Sequence, residues 1–301
     1  MGQKDTILER VALGSIGISL AVLGLKVTAW QMTGSVALYS DAMESTVNVA
    51  ASIAAHFAIK IGSRPPDRRH PYGHTKIEYF SAVFVGVLIV LAALSIAREA
   101  VPAFFAPKPL EAASTGLAIN ALAGAINGIW CWLILKVGRA QASPALVADG
   151  KHLLSDVISS MGVLLGVVLA VMTGWAVLDP LLAAVVAINV LVSGWHLIQS
   201  SLGALMDEAV DDRTLLSINT AIAAEDEGAL QAHDIKTRRA GRATFIEFHL
   251  VVPADMSVGE AHAICDRLEV SIHKIIKGAA VSIHVEPPEK AKQHGAVLVA
   301  A

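Results

Sequence analysis

Charged residues are scarce in this chain of 301 residues: Asp, Glu, Lys and Arg make up 16% of it, and apolar residues make up 54%. An ordinary soluble domain carries about a quarter of its residues as charged side chains, so the composition excludes that class. Only two cysteines occur, Cys131 and Cys265, which excludes a disulfide framework. The sequence also lacks a His-Glu-x-x-His stretch, which argues against a metalloprotease and, with it, against an enzyme.

The sequence instead contains long runs of apolar residues. Six runs are long enough to cross about 30 Å of hydrocarbon at about 1.5 Å per residue. They cover residues 7–32, 36–61, 79–103, 115–137, 146–172 and 180–206. We therefore predict an all-α bundle of six transmembrane helices. Lys26, in the first run, is an isolated basic residue at membrane depth. It could extend to the membrane surface or pair with a carboxylate, and it is assigned no catalytic role.

Basic residues in the connections predict the orientation of the bundle. They are concentrated at the N-terminus and in the second and fourth connections: Lys4, Arg10, Arg64, Arg68, Arg69, Lys76, Lys136 and Arg139. Connections on the cytoplasmic side carry the excess of Lys and Arg. Both termini are therefore predicted to be cytoplasmic.

The composition changes after residue 206, where a polar, acidic segment begins. Residues 215–224 and 258–276 have helical spacing, and residues 232–238, 244–252 and 280–285 have the pattern of strands. We predict a transmembrane domain over residues 1–206, a soluble cytoplasmic α+β domain over 207–288, and a flexible tail over 289–301.

Polar groups recur three and four residues apart in the second and fifth apolar runs. They are Asp41, Glu44 and Asn48 in one run and Asp149, His152 and Asp156 in the other. This spacing places each set on one face of a helix. Ionisable groups at membrane depth cost a few kcal/mol each, so such a cluster indicates function. Three oxygens and one imidazole nitrogen, from Glu44, Asn48, His152 and Asp156, are the predicted ligands of a transported divalent cation.

Asp41 and Asp149 precede the predicted ligands by one helical turn. They are candidates to support those ligands or to line an aqueous access path. The alternative for the whole cluster is hydrogen bonding that only joins the helices. Such bonding usually employs Ser, Thr or Asn rather than several carboxylates.

A second candidate metal site lies in the basic connection between the second and third runs. Asp67, His70 and His74 are close in sequence there, and Pro71 and Gly73 prevent a regular helix. The resulting bend can bring the three side chains around one ion. A solvated cytoplasmic loop is the alternative.

The C-terminal segment offers a third set of donors. These are His233, His249, His262, His284 and Glu286. His284 and Glu286 share one face of the last predicted strand because they are two residues apart. Five donors in a compact domain predict one or two bound metal ions, although any one of these histidines alone would be an ordinary surface residue.

Taken together, these features resemble the cation diffusion facilitator family of divalent metal transporters, and its bacterial zinc and iron members in particular. The likeness rests on the six helices, the Gly-Ser-Val-Ala-Leu stretch at 34–38, the His152 and Asp156 pair, the His-Pro-Tyr-Gly-His-x-Lys loop at 70–76, and the histidines of the C-terminal domain. The resemblance implies a homodimer in the bacterial inner membrane that exchanges cytoplasmic metal for external protons. It also implies a ferredoxin-like, metallochaperone-like soluble domain that dimerises through metal, and a charge pair between Lys76 and Asp207 at the dimer seam.

The sequence departs from the family pattern in the second helix. Zinc members usually have His or Asp followed four residues later by Asp, whereas Glu44 and Asn48 stand here. Asn48 replaces a negative charge with a neutral oxygen, which makes manganese, ferrous iron and cobalt plausible beside zinc. We still expect zinc first, with cadmium following zinc. The expected partners are the lipid bilayer, the cation, protons and a second copy of the chain, and no nucleic acid. A membrane metal sensor without transport is the alternative of a different class.

Overall fold

The computed structural model describes residues 3–62, 64–107, 110, 113–140, 144–224, 228–241, 243–292 and 296–298. Within these ranges, side chains are described except at residues 3–13, 55, 59, 113, 138–140, 144–152 and 155. The chain divides into two compact units. One comprises Met1–Phe57 and Ala82–Ile198, and the other Ala58–Ser81 and Gln199–Ala301.

Six long helices form the first two thirds of the chain. They are α1 (Gln3–Thr33), α2 (Val36–Gly62), α3 (Ile77–Phe105), α4 (Ala113–Ala140), α5 (Pro144–Thr173) and α6 (Leu178–Leu205). Their bounds lie within a few residues of the six predicted runs. Over the described ranges, α1, α3, α4, α5 and α6 are apolar enough to cross a membrane. Helix α2 does not reach that apolarity, because it carries the polar cluster from Asp41 to Asn48.

In the first unit, many buried residues are small, and many large apolar side chains are exposed. Ala29, Ala92, Ala123 and Ala183 are buried, whereas Leu91, Ile129, Leu165 and Ile188 are exposed. Helices α3 and α6 approach closely at Gly86 and Gly194, where an added Cβ atom would lie 3.2 Å from a backbone oxygen of the other helix. Small residues at helix contacts and large apolar residues outside are typical of helices that pack within a bilayer.

The second unit contains the α+β domain that the sequence predicts. It consists of α7 (Asp212–Ala223), β1 (Gln231–Ala240), β2 (Ala243–Val251), α8 (Val258–Ile275), β3 (Ala279–Glu286) and β4 (Val297–Leu298). The strands form one sheet in the order β3-β2-β1-β4. Strands β1 and β2 are antiparallel, and β2 and β3 are parallel, joined through α8. Side chains of both helices and of the sheet form the core, including Ile218, Phe248, Leu250 and Leu268.

Regular structure is described in part of the segment for which the sequence predicts a flexible tail. A single 3-10 turn covers Pro288–Lys290. The described residues Val297–Leu298 then pair antiparallel with Gln231 and Ala232 of β1. The side chain of Gln231 also accepts a hydrogen bond of 2.7 Å from the backbone N–H of Lys292 and donates one of 3.1 Å to its carbonyl. Part of the segment 289–301 therefore continues the sheet at its β1 edge.

Candidate metal centres

Polar side chains of α2 and α5 meet inside the first unit. The amide nitrogen of Asn48 donates a hydrogen bond to a carboxylate oxygen of Asp156. The carboxyl groups of Glu44 and Asp156 are in hydrogen-bonding contact, and Ser159 Oγ donates to the Glu44 oxygens at 3.4 and 3.5 Å. Asp156 is buried. Three of the four predicted ligands thus lie together, while the side chains of His152 and Asp149 fall outside the described residues.

Asp41 has a partner that the sequence analysis does not assign. Its Oδ1 atom accepts hydrogen bonds from Lys26 Nζ at 2.8 Å and from Ser160 Oγ at 2.6 Å. Lys26 Nζ also donates to Ser160 Oγ at 2.8 Å. The side chains of Lys26 and Asp41 are 2% and 1% exposed. Only the isolation of a lysine within an apolar run hints at this pair in the sequence.

A carboxylate from α6 caps the N-terminus of α2. Asp179 Oδ1 accepts from Ser35 Oγ at 2.5 Å and from the N–H of Ala37 at 3.3 Å, and Oδ2 accepts from the N–H of Val36 at 2.7 Å. The first N–H groups of a helix lack partners within the helix, and a carboxylate there also suits the helix dipole. Asp179 therefore fixes the start of the helix that carries Glu44 and Asn48.

The loop before α3 brings Asp67, His70 and His74 together within the second unit. Their ligand atoms all lie within 4.8 Å of one another. His70 Nδ1 lies 3.2 Å from Asp67 Oδ1, and His74 Nε2 lies 3.4 Å from Asp67 Oδ2. The backbone N–H of His70 donates to the carboxylate and, with the N–H of Arg69, lowers the pKa of Asp67. The carboxylate is therefore ionised at neutral pH, as a metal ligand must be.

Cross-strand pairing builds the cluster of the α+β domain. His233 of β1 is opposite His249 of β2, which in turn is opposite His284 of β3. Glu286 joins them, because its oxygens lie 3.2 Å from His233 Nε2, 3.1 Å from His249 Nδ1 and 3.7 Å from His284 Nε2. Ligand atoms of His233, His249 and Glu286 all lie within 4.8 Å of one another.

Two buried atoms of this cluster have no hydrogen-bond partner in the described part of the chain. They are Nδ1 of His233, whose side chain is 2% exposed, and Oε2 of Glu286. Glu286 Oε2 lies 3.2 Å from His233 Nε2, but the angles of this contact do not form a hydrogen bond. A buried polar atom without a partner costs about 1–3 kcal/mol, and a cation among the donors would offset part of that cost. The donor set therefore fits a bound metal ion.

His262 is the predicted donor that lies apart from this cluster. It is on α8, its side chain is 75% exposed, and its Nε2 is 3.8 Å from Asp266 of the same helix. Phe248 and Leu250 point into the core beneath the helices, so His249 between them points to the opposite face of the sheet. Within one chain, His262 therefore lies apart from the other four donors, and its role as a metal ligand stays a prediction.

Lys76 and Asp207 form an ion pair inside the second unit of a single chain. Lys76 Nζ lies 2.8 Å from Asp207 Oδ1, and a guanidinium nitrogen of Arg238 lies 3.3 Å from the same oxygen. The hydrogen bond from Lys76, assisted by Arg238, lowers the pKa of Asp207. The predicted partners thus meet without a second subunit.

Comparison with known proteins shows what this chain is similar to. Residues 12–206 match the family model described as the cation efflux transmembrane domain, and residues 210–288 match the cytoplasmic domain of cation efflux proteins. An uncharacterized transporter of Synechocystis sp. is 41% identical over 281 residues, which cover 93% of this chain and 91% of that protein. The cation-efflux pump FieF of Shewanella oneidensis is 30% identical over 285 residues, which cover 95% and 96% of the two chains. Among solved structures, a Zn form of CzrB is 41% identical over 29% of this chain and 99% of that chain, with a TM-score of 0.27.

Proposed function

Because this chain belongs to the cation efflux family of membrane transporters, the cation diffusion facilitators, we propose that it exports a divalent metal ion through a site between α2 and α5. The observation that carries the proposal is the meeting of Glu44, Asn48 and Asp156. Each of the three side chains carries an oxygen of the kind that divalent cations bind. His152, four residues before Asp156, is the proposed fourth ligand on the basis of the sequence.

The contact between two carboxyl groups supports exchange of metal for protons. Two adjacent ionised carboxylates repel each other, and either a proton or a cation between Glu44 and Asp156 relieves that repulsion. Ligands must lose their protons to bind metal, so metal binding expels protons and protonation expels metal. An imidazole changes charge near neutral pH, which makes His152 suited to the same exchange. We therefore propose a metal/proton antiporter.

Zinc is the proposed first substrate, with ferrous iron, manganese, cobalt and cadmium as alternatives. One imidazole and three oxygens are compatible with each of these ions, and geometry and ligand type, rather than affinity alone, decide between them. The neutral oxygen of Asn48 is the feature that favours ions other than zinc.

The two clusters of the second unit are proposed to hold resident metal ions. His233, His249 and Glu286 would hold one ion on the sheet, and Asp67, His70 and His74 would hold another in the loop. An ion there supplies positive charge that joins separate strands or a bent loop. We further propose that the cytoplasmic domain forms a homodimer, as the family model for this domain supports. The proposed location is the bacterial inner membrane, with both termini cytoplasmic.

Metal flux into vesicles that contain only this protein tests the proposal. Asp156→Ala removes a buried charge of the site, and we expect it to abolish flux while the protein stays folded by size-exclusion chromatography. Asp255→Ala, in the exposed turn before α8, is the matched control and should transport normally. Normal flux through folded Asp156→Ala protein would overturn the proposed site, and no flux through the unaltered protein would leave the sensor as the better function.

A further inference from the structure

Lys26 forms the only ion pair between Lys or Arg and a carboxylate that is described in the first unit, and nothing in the proposed transport cycle yet uses it. Its ammonium group lies 2.8 Å from Asp41 of α2 and donates to Ser160 of α5, so the pair joins α1, α2 and α5. Both charged side chains are almost completely buried. Replacing a buried ion pair with apolar residues is often neutral or stabilising, so stability alone does not account for it.

The ion pair is continuous with the proposed transport site. Asp41 lies one helical turn before Glu44 on α2, and Ser160 follows Ser159, which contacts Glu44. The charge of Lys26 attracts the carboxylates of both Glu44 and Asp156, and the charge of Asp41 repels both. The four charged groups therefore act on one another as a set.

The charges of this set match a divalent cation. With all four groups ionised, the described members of the set carry one positive and three negative charges, a net charge of −2. We propose that Lys26 sets the affinity of the site for a divalent cation: its fixed charge cancels that of Asp41, so that the negative charge left for the cation is that of Glu44 and Asp156. This inference rests on the proposed function, because it assigns Lys26 a role in the same site.

Loss of Lys26 would leave the Asp41 carboxylate without a counter-charge among the described residues. Asp41 Oδ2 is buried and has no hydrogen-bond partner among the described residues, while Oδ1 receives both Lys26 and Ser160. Without Lys26, the uncancelled carboxylate would add its charge to the site. Without Asp41, the ammonium would repel the metal instead. The two losses should therefore shift metal affinity in opposite directions.

A charge series on the full-length protein in detergent tests this, with Zn²⁺ affinity as the readout. Lys26→Met should tighten zinc binding and Asp41→Asn should weaken it, each by about 10-fold or more, because a unit charge acts on a divalent ion through an effective dielectric constant of about 20. The double variant keeps the net charge and should return to within about 3-fold of the unaltered protein. Lys26→Arg should leave the affinity close to that of the unaltered protein.

A merely structural ion pair predicts a different pattern. Both single variants would then weaken binding, and the double variant would bind no better than the worse single variant. Either result overturns the inference. If Lys26→Met does not fold, recovery of affinity in the double variant relative to Asp41→Asn supports the inference, and lack of recovery overturns it. Absence of zinc binding by the unaltered protein, by contrast, would count against the proposed function for zinc.

Discussion

Replacing Glu286 with glutamine should remove most of the stabilisation that zinc is proposed to give the cytoplasmic domain. The two Glu286 oxygens reach three histidines on three strands, at 3.1 to 3.7 Å. Glutamine keeps the size of the side chain and one oxygen but loses the negative charge that would balance a cation in this cluster. The packing of β3 should be unaffected, since Ile283 contributes to the core and Glu286 does not.

The magnitude follows from mass action. A ligand at 100 times its dissociation constant stabilises the state that binds it by about 2.7 kcal/mol. For a domain the size of residues 210–288, that corresponds to an increase in Tm of roughly 10–20 °C. Glu286→Gln should lose most of this increase in thermal unfolding of the full-length protein with and without zinc. His273→Gln is the matched control, because His273 is exposed on α8 and contacts the Glu269 carbonyl of its own helix.

A full zinc-dependent increase in Glu286→Gln would refute the argument, as would an equal loss in His273→Gln. In the same assay, His262→Gln tests whether His262 belongs to the metal ligands together with His233, His249 and Glu286. The structure of one chain predicts that this variant keeps the increase in Tm, because His262 lies apart from the cluster. Loss of the increase would mean that His262 reaches an ion held by the cluster of another subunit.

Three further predictions concern other parts of the molecule. Asn48→Asp adds a charged oxygen beside Asp156 and should tighten zinc binding in a titration; an unchanged affinity would mean that Asn48 is not a ligand. Reversing the charge of Lys76 or Asp207 alone should reduce flux, and Lys76→Asp combined with Asp207→Lys should recover part of it; a double variant no better than the worse single would show that their contact is not needed. This pair is partly exposed and should contribute no more than about 1 kcal/mol. Because the pKa of Asp207 is lowered, its contribution is present above the unfolded pKa of about 3.9 and is lost as pH falls through the folded value. A thermal titration that instead shows the loss near neutral pH would contradict it. Asp179→Ala removes the cap of α2 and should lower thermal stability by about 1–2 kcal/mol together with flux; unchanged stability would show that the cap is dispensable.

The sequence predicts well those features that show a regular spacing of apolar residues. The six apolar runs and the strands of the second unit follow directly from length and alternation, and their structural bounds differ by a few residues. The proximity of Asp67, His70 and His74 follows from the bend at Pro71 and Gly73. Their binding of metal remains a prediction, as does that of the site between α2 and α5.

Features that depend on pairing between distant segments are the ones that the sequence does not determine. The partner of Lys26 is fifteen residues away on another helix, and no local pattern links the two. The short strand Val297–Leu298 has too few residues for an alternating pattern and is defined by its pairing with β1. The position of His262 is another such feature: composition groups it with the other histidines, whereas within one chain it lies on α8, and Phe248 and Leu250 turn His249 to the other face of the sheet.

Zinc flux under an imposed pH gradient is the most direct test of the central claim. The purified protein would be placed in liposomes, and zinc and proton movement would be recorded together with fluorescent indicators. We predict that zinc moves toward the more acidic side while protons move the opposite way, and that Asp156→Ala abolishes both movements. Zinc flux that is unaffected by the pH gradient and releases no protons would contradict metal/proton exchange at the site between α2 and α5.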